Sequence, residues 1–180
     1  MAATSEPTSK YRPRYSGFHA WVQGIASTYL GTWVLSRIMH HFDHFVLRVS
    51  GGRLAAATWL AGLPIAVVEV QGARSGKQRN VPLICVRTDA APDKLALIAT
   101  NWGRKRNPAW YYNLKRYAEV SCTVNGRRGV YRAYEAESEE YQKWWQAGAE
   151  TYVGYEVYRR RIKGRAIPIM VLEPVASTPK

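Results

Sequence analysis

Several kinds of residue that often carry chemistry are scarce in this sequence of 180 residues. It has two cysteines and four histidines, and 13 acidic residues stand against 26 lysines and arginines. Cys85 and Cys122 each lie in an apolar stretch and form no C-x-x-C pair. We therefore expect two free core thiols in a reducing compartment, and the low cysteine count excludes a disulfide framework.

The histidines do not form a recognisable metal site. All four lie within the first 44 residues, and His40, His41 and His44 fall close together. The segment lacks the glutamate of an H-E-x-x-H motif, and no cysteine or distant histidine completes a ligand set. A solvated helix face is the better interpretation, so we expect no bound metal.

The sequence also lacks the residue arrangements that are typical of a catalytic nucleophile. Ser75 is not part of a G-x-S-x-G sequence, and no histidine stands near either cysteine. No paired carboxylates occupy a stretch that predicts a cleft. If the protein is an enzyme, a cofactor should therefore supply its chemistry.

The positive charge is concentrated in the middle of the chain. The formal net charge is +13, and residues 51–130 hold thirteen basic residues against four acidic ones. A hydrophobic content of 47% excludes a disordered chain. The concentration of charge favours a defined anionic site, and seven tryptophans with twelve tyrosines suit pockets and wet interfaces.

The composition divides the chain into three parts. Residues 1–17 are polar and basic and predict a disordered tail, and residues 18–50 have the apolar spacing of an amphipathic helical segment. The uncharged run 20–36 is short for a bilayer span and has no cleavage site behind it, so we expect a cytoplasmic protein. An interfacial helix at the inner face of the membrane is the alternative for this segment. Residues 51–176 form the main domain.

Short strands dominate that domain. The apolar patterns predict a mainly-β α+β fold, as a small barrel rather than a doubly wound parallel sheet. Asn125-Gly126 is a strong hairpin signal. The predicted strands are 65–70, 81–88, 95–100, 119–124, 130–135 and 167–172, and the predicted helices are 109–116, 137–150 and 155–162.

The loop 72–79 is the main chemical feature of the sequence. It resembles a P-loop, but only three residues separate its glycines and a strand follows it, so a triphosphate site on a helix N-terminus is excluded. Its glycine allows close approach of backbone amides, and its serine and cations suit phosphate or carboxylate. A solvated basic hairpin tip is the alternative. The residues concerned are Arg74, Ser75, Gly76, Lys77 and Arg79.

A second segment, residues 100–111, combines a glycine, three successive cations and indoles. Trp102 and Trp110 flank Arg104 to Arg106 closely enough to suit a flat anionic ligand. Nucleic acid would fit the same residues through stacking and phosphate contacts, although the sequence has no nucleic-acid-binding signature.

A third group is the tyrosine series Tyr152, Tyr155 and Tyr158, whose spacing predicts one side of a helix. Such a stripe is often the edge of a core. Its three hydroxyls are also suited to line a pocket for an aromatic substrate.

Together these segments resemble a known family. The stretches "GARSGKQRNVPL", "TNWGRKRNPAWYYNL", "TYVGYEVYRRR" and "IPIMVLEP" resemble, in order and spacing, the deazaflavin (coenzyme F-420)-dependent nitroreductase and quinone reductase family, over residues 42–174. The resemblance implies a split β-barrel of the flavin-reductase (FMN-binding) type with peripheral helices. It also implies hydride transfer from reduced F-420 to a quinone, a nitroaromatic or a similar conjugated acceptor.

The resemblance also assigns roles to residues. The basic loop with Pro82 matches the family's site for the cofactor's phosphate and glutamate tail, and Thr100 falls where the family commonly has serine beside the reactive ring. Two departures from the family pattern affect the expected range of acceptors. Thr100 adds a methyl group, and Tyr112 stands where the family frequently has histidine. The remaining implied cofactor residues are Asn101, Trp102, Trp110 and Asn113. The implied catalytic residues are Thr100, Tyr152, Tyr155 and Tyr158.

Two other functions stay open from the sequence. One is a basic binding module without turnover, for nucleic acid or an anionic membrane, although we expect no nucleic-acid partner. The other is a split-barrel oxidase that uses FMN. Contact of residues 18–40 with the membrane and formation of a homodimer are further open expectations.

Overall fold

Six strands in a computed structural model form one antiparallel sheet, and the structure describes residues 63–175. The strand order is β2-β1-β4-β5-β6-β3, with every neighbouring pair antiparallel. The strands are β1 (Ile65–Gln71), β2 (Gln78–Ile84), β3 (Leu95–Ile98), β4 (Glu119–Val124), β5 (Arg127–Glu135) and β6 (Ile169–Pro174).

The sheet curls until its two edges meet. Val86, just beyond β2, exchanges two backbone hydrogen bonds with Ala96 in β3, with N···O distances of 2.8 and 2.9 Å. This pairing covers part of two strand edges that would otherwise be exposed. The expected mainly-β fold with a barrel-like sheet is confirmed.

Three helices and one short 3-10 turn accompany the sheet in the described residues. The helices are α1 (Ala109–Arg116), α2 (Ser138–Thr151) and α3 (Gly154–Arg161), and the 3-10 turn is Asn101–Gly103. The helix α1 follows Pro108, whose backbone is extended and which needs no hydrogen-bond acceptor of its own.

The sheet separates two apolar cores. Alternation along β3 puts Leu95 and Leu97 in a first core, which also receives α1, and puts Ala96 and Ile98 in a second core with α2 and α3. The strand is therefore buried on both faces, which explains why its sequence is apolar without alternation.

Most of the predicted elements are confirmed, including the helix 109–116, the strand 119–124 and the hairpin at Asn125-Gly126, whose φ angles are 51° and 77°. The second strand begins at Gln78, earlier than predicted, because exposed polar residues pair with β1 at the sheet edge. The last strand begins at Ile169, later than predicted. Pro168 lacks the N–H that an earlier ladder bond would need.

Other predictions lie outside the described residues. These are the tail 1–17, the helical segment 18–50 with its histidines, and the first part of the main domain, so the proposed division of the chain stays a prediction. Within residues 63–175, no helix is long and apolar enough to cross a bilayer. In the same range, no three histidine, cysteine or acidic side chains come together as a metal site.

Candidate active site

The connection between β1 and β2 is a tight turn, residues 72–77, which we call the basic turn. The Gly76 amide donates to the Gly72 carbonyl at 2.8 Å, and the Gly72 amide donates to the Lys77 carbonyl at 2.9 Å. Gly76 has a φ of 66°, a left-handed conformation that glycine adopts readily. A Cβ on Gly72 would lie 2.5 Å from the Ser75 Oγ, so any other residue there would require the Ser75 hydroxyl to move.

Arg74 and Lys77 of this turn, and Arg79 on β2 directly after it, are exposed and have no acidic partner among residues 63–175. No carboxylate among residues 63–175 lies within ion-pair distance of Arg74, Lys77 or Arg79. Other cations are paired, as where Arg128 binds Glu69 through two hydrogen bonds of 2.8 and 2.9 Å. Exposed cations without an acidic partner suit a phosphate or carboxylate ligand.

The helix α1 holds the basic turn in place. The side chain of Asn113 is buried, and its Oδ1 accepts a hydrogen bond from the Ala73 amide at 2.9 Å. Trp110, on the same helix, is 9% exposed and belongs to the first core. The structure thus places Asn113 against the backbone of the turn and Trp110 in the apolar interior, and their roles toward a cofactor stay predictions.

The connection between β3 and α1, residues 100–107, has an unusual backbone, and we call it the Trp102 loop. Asn101, Trp102 and Gly103 have successive φ angles of 50°, 59° and 79°. Non-glycine residues rarely adopt this region, and such strain concentrates at functional sites. The Asn101 Nδ2 donates to the Arg106 carbonyl at 2.8 Å. Trp102 is 40% exposed, whereas Thr100 is buried.

The three predicted tyrosines lie together, but not on one helix. Tyr152 follows the end of α2 in an extended conformation, so the prediction of a single helical stripe is wrong for this residue. The ring of Tyr152 nevertheless lies 5.3 Å from that of Tyr155, and its hydroxyl is 3.2 Å from the Tyr158 hydroxyl. The chain reverses between α2 and α3, and this reversal brings the rings together.

Burial determines the chemistry of these tyrosines. All three belong to the second core, and burial raises the pKa of Tyr152 and of Tyr155, so both hydroxyls stay protonated at neutral pH. The Tyr155 hydroxyl has no hydrogen-bond partner within residues 63–175. The Trp102 ring lies 6.4 Å from the Tyr158 ring, which joins the exposed Trp102 loop to the buried tyrosines.

The predicted site residues therefore fall into two groups. The basic turn and Asn113 form the first group, and the Trp102 loop with the tyrosines forms the second. The helix α1 links the two groups, because it begins just after the Trp102 loop and contacts the basic turn through Asn113. Pro82 lies opposite Val67 on the edge strand β2, where a residue without an N–H is tolerated.

Sequence reasoning missed Arg165, which binds the carbonyl oxygens of the Trp102 loop. No sequence pattern distinguishes this arginine from its basic neighbours.

The two cysteines are confirmed as free and buried. Burial raises the pKa of the Cys85 thiol to about 11 and that of the Cys122 thiol to about 12. Both are therefore protonated at neutral pH and inert as nucleophiles.

A curled antiparallel sheet with a glycine-built basic turn and a strained, indole-bearing loop defines a cofactor-binding protein of the split-barrel class. The family profile of the F420H(2)-dependent quinone reductases matches residues 39–174. The chain belongs to the F420H(2)-dependent quinone reductase family. It is an oxidoreductase of the split-barrel type, and its cofactor is coenzyme F-420.

Individual relatives agree with this assignment. An F420H(2)-dependent quinone reductase of Mycobacterium tuberculosis is 30% identical over 112 residues, which cover 61% of this chain and 72% of the relative. A solved F420-H2 dependent reductase is 34% identical, with a TM-score of 0.55 over 61% of this chain and 94% of that one. A structure described as a domain-swapped dimer is 29% identical, with a TM-score of 0.57 over 79% of this chain and 98% of that one.

The comparisons confirm the function that the sequence resemblance implies, which is hydride transfer from reduced F-420 to a quinone. They do not favour the two alternatives, a binding module without turnover and an oxidase that uses FMN.

Proposed function

We propose that this chain holds coenzyme F-420 by its phosphate and glutamate tail on the basic turn, and that a quinone is reduced beside the Trp102 loop. The observation that carries this proposal is the set of three exposed cations without acidic partners on the basic turn and the strand after it. When bound, the deazaflavin supplies a hydride to a conjugated acceptor.

The residues of the basic turn fit such an anionic group. Arg74, Lys77 and Arg79 supply charge, and the left-handed Gly76 leaves room for a ligand close to the backbone. Asn113 keeps the turn in shape through its bond to the Ala73 amide, so less ordering is needed when a ligand binds.

The Trp102 loop fits the flat part of the ligands. The exposed indole of Trp102 offers a stacking face for a ring. The Thr100 hydroxyl and the protonated hydroxyl of Tyr155 are neutral donors for an oxygen that gains negative charge during reduction. Thr100 follows β3 closely, and Ile98 of β3 belongs to the same core as Tyr155, which supports a shared role on the acceptor side.

Quinones and nitroaromatics share an electron-poor conjugated system with oxygens at its edge. The same donors would serve both, and we include nitroaromatics in the proposal as a second acceptor class. Turnover of reduced F-420 with menadione and with a nitroaromatic compound, side by side, measures the preference.

The first test removes charge from the proposed phosphate site. We expect Lys77→Ala with Arg79→Ala to raise the Kd for F-420 about tenfold or more at low salt, because two charge-assisted contacts are lost. The difference from the unmodified protein should shrink as ionic strength rises, since salt screens exposed charges. Fluorescence titration of F-420 at several salt concentrations measures both effects.

The chain offers a matched control for this experiment. Arg127 and Arg132 on β5 are exposed and have no acidic partner within the described residues. Their replacement by alanine removes the same charge from another strand of the sheet and should change the Kd less than about twofold. If both double variants bind F-420 as the unmodified protein does, the placement of the phosphate and tail on the basic turn is wrong.

We further propose a homodimer in the cytoplasm that makes peripheral contact with the membrane. The dimer is supported by the 29% identical relative whose structure is described as a domain-swapped dimer. The membrane contact rests on the apolar spacing of residues 18–50 in the sequence. Vesicle flotation of the full chain, with phosphatidylglycerol vesicles, is its test.

A further inference from the structure

Arg165, in the connection between α3 and β6, is bound to one loop by an extensive set of hydrogen bonds. Its guanidinium donates six hydrogen bonds to five acceptors, and four of these acceptors belong to the residues 99–107. The acceptors are the carbonyl oxygens of Ala99 at 3.3 Å, Thr100 at 2.9 Å, Arg104 at 3.1 and 3.2 Å and Ala166 at 3.0 Å, with the Asn107 Oδ1 at 2.6 Å.

The surroundings of Arg165 contain carbonyl dipoles in place of an acidic partner. Within residues 63–175 no carboxylate lies within ion-pair distance of its guanidinium, and burial lowers its pKa. Burying a cation is costly unless well-aimed acceptors surround it. A planar fork of five N–H donors can bind several carbonyls at fixed angles, which the point charge of a lysine cannot do.

The bound segment also has an unusual backbone, with the only two consecutive non-glycine residues of positive φ in the described residues. Asn101 and Trp102 are consecutive non-glycine residues in the left-handed region. Such a conformation persists only where its surroundings impose it. Arg165 binds the carbonyl of Thr100 before these two residues and that of Arg104 after them, so it holds the strained turn at both ends.

We propose that Arg165 is a positioning residue that keeps the Trp102 loop in the conformation in which Thr100 and Trp102 meet the ligands. The ligand part of this inference rests on the proposed function, whereas the effect on the loop does not. Without Arg165 the loop also occupies conformations that do not bind the ligands. The apparent Kd then equals the intrinsic Kd divided by the fraction of molecules in the binding conformation. Saturating ligand selects the competent conformation, so kcat should change little.

The kinetic experiment compares Arg165→Met, Arg165→Lys and a control, Arg160→Met. Arg160 is an exposed cation of α3 with the same charge, which the structure joins to no part of the loop. We expect Arg165→Met to raise the KM for reduced F-420 and for menadione by about tenfold each, with kcat within about twofold. The lysine variant should recover part of the loss, and Arg160→Met should behave as the unmodified protein.

The second experiment needs no ligand. Trypsin can cleave after Arg104, Lys105 and Arg106 in the Trp102 loop and after Arg127, the first residue of β5. We expect Arg165→Met to speed cleavage in the Trp102 loop about tenfold relative to cleavage at Arg127, as mapped by mass spectrometry of the full chain. Arg160→Met should leave this ratio unchanged.

The two experiments test separately whether Arg165 holds the loop and whether this hold affects ligand binding. A fall in kcat with unchanged KM would mean that Arg165→Met only lowers the folded fraction, and it would overturn the positioning role, as would unchanged kinetics. An unchanged cleavage ratio would overturn the hold on the loop. If the unmodified protein does not turn over reduced F-420, the proposed function fails, while the cleavage ratio still decides the effect on the loop.

Discussion

At the scale of single residues, hydrogen bonding distinguishes the buried hydroxyls of the tyrosine cluster. The hydroxyls of Tyr152 and Tyr158 form a hydrogen bond with each other, with an O···O distance of 3.2 Å. Tyr155 has no such partner within the described residues, although it is equally buried. A buried donor without a protein partner is costly, which is why such a group is often kept for a ligand.

We therefore expect Tyr155→Phe to lower kcat/KM for menadione about tenfold, because a hydrogen bond to the reduced oxygen is lost. Tyr158→Phe should lower it less, because the Tyr158 hydroxyl already contacts that of Tyr152. The Kd for F-420 should not change. Tyr141→Phe is a matched control, since Tyr141 is a partly buried ring of the same core, stacked on Trp145. Steady-state kinetics with a parallel fluorescence titration distinguish the two effects, and equal losses of both would place these rings on the cofactor instead.

At the scale of elements, we propose that two connections bind the ligands on a scaffold formed by the strands. The basic turn joins two strands, and the Trp102 loop joins a strand to a helix. Each has left-handed residues that one side chain from another element keeps in place, Asn113 for the basic turn and Arg165 for the Trp102 loop. This arrangement is typical of binding loops on a rigid framework.

The basic turn allows a comparison between two glycines with similar backbones. Gly76 has a φ of 66°, and Gly126, in the turn between β4 and β5, has a φ of 77° with open space around it. We expect alanine at either position to lower the free energy of unfolding by about 1 kcal/mol, because of the left-handed backbone. Only Gly76→Ala should also weaken F-420 binding.

Urea denaturation and fluorescence titration of both variants measure this prediction. Similar losses of stability with a raised Kd in Gly76→Ala alone would support an anion site at the backbone of the basic turn. A raised Kd in both variants would instead indicate a general effect of lower stability.

At the scale of the whole molecule, side chains from strands that are distant in sequence contact each other across the sheet. Arg128 on β5 reaches across β4 to bind Glu69 on β1. This contact lowers the pKa of Glu69, chiefly through the hydrogen bond from Arg128. A carboxyl whose pKa is lower in the folded state stabilises the fold above its unfolded pKa, and this contribution is lost as the pH falls through the folded value.

We therefore expect Glu69→Gln to lower the urea midpoint at pH 7 and to have no effect at acid pH, below the folded-state pKa of Glu69. Glu119→Gln is the control, since Glu119 is an exposed carboxylate without an ion pair in the described part of the chain. Urea denaturation from pH 7 to acid pH measures the difference. A difference that persists at acid pH would show that the Glu69→Gln substitution disturbs packing rather than charge.

Assembly is the second question at this scale. We expect the full chain to form a dimer, as the relative described as a domain-swapped dimer does. Light scattering of the full chain measures the mass directly, and a mass near that of one 20.4 kDa chain would contradict the expectation.

Much of the fold was predictable from local patterns. Alternation predicted β1 and β4, and Asn125-Gly126 predicted the hairpin, because both signals depend on neighbouring residues only. The polar start of β2 was not predictable, since Gln78 to Asn80 become strand only by pairing with β1. The grouping of Tyr152 with Tyr155 was predicted for the wrong reason, because the chain leaves the helical conformation between them.

The sequence by itself showed the resemblance to the family, which implies the cofactor. It also identified the loop 72–79 as a candidate anion site, because glycine, serine and cations at that spacing suit a phosphate or a carboxylate. Only the tertiary structure decided which side chains hold the loops. Asn113 lies 40 residues from Ala73, and Arg165 lies 65 residues from Thr100. Folding alone brings such partners together, since the directions of their hydrogen bonds depend on how α1 and β6 pack against the sheet. We propose that part of the positive charge in residues 51–130 serves to bind an anionic cofactor at the basic turn, which a distant asparagine keeps in shape.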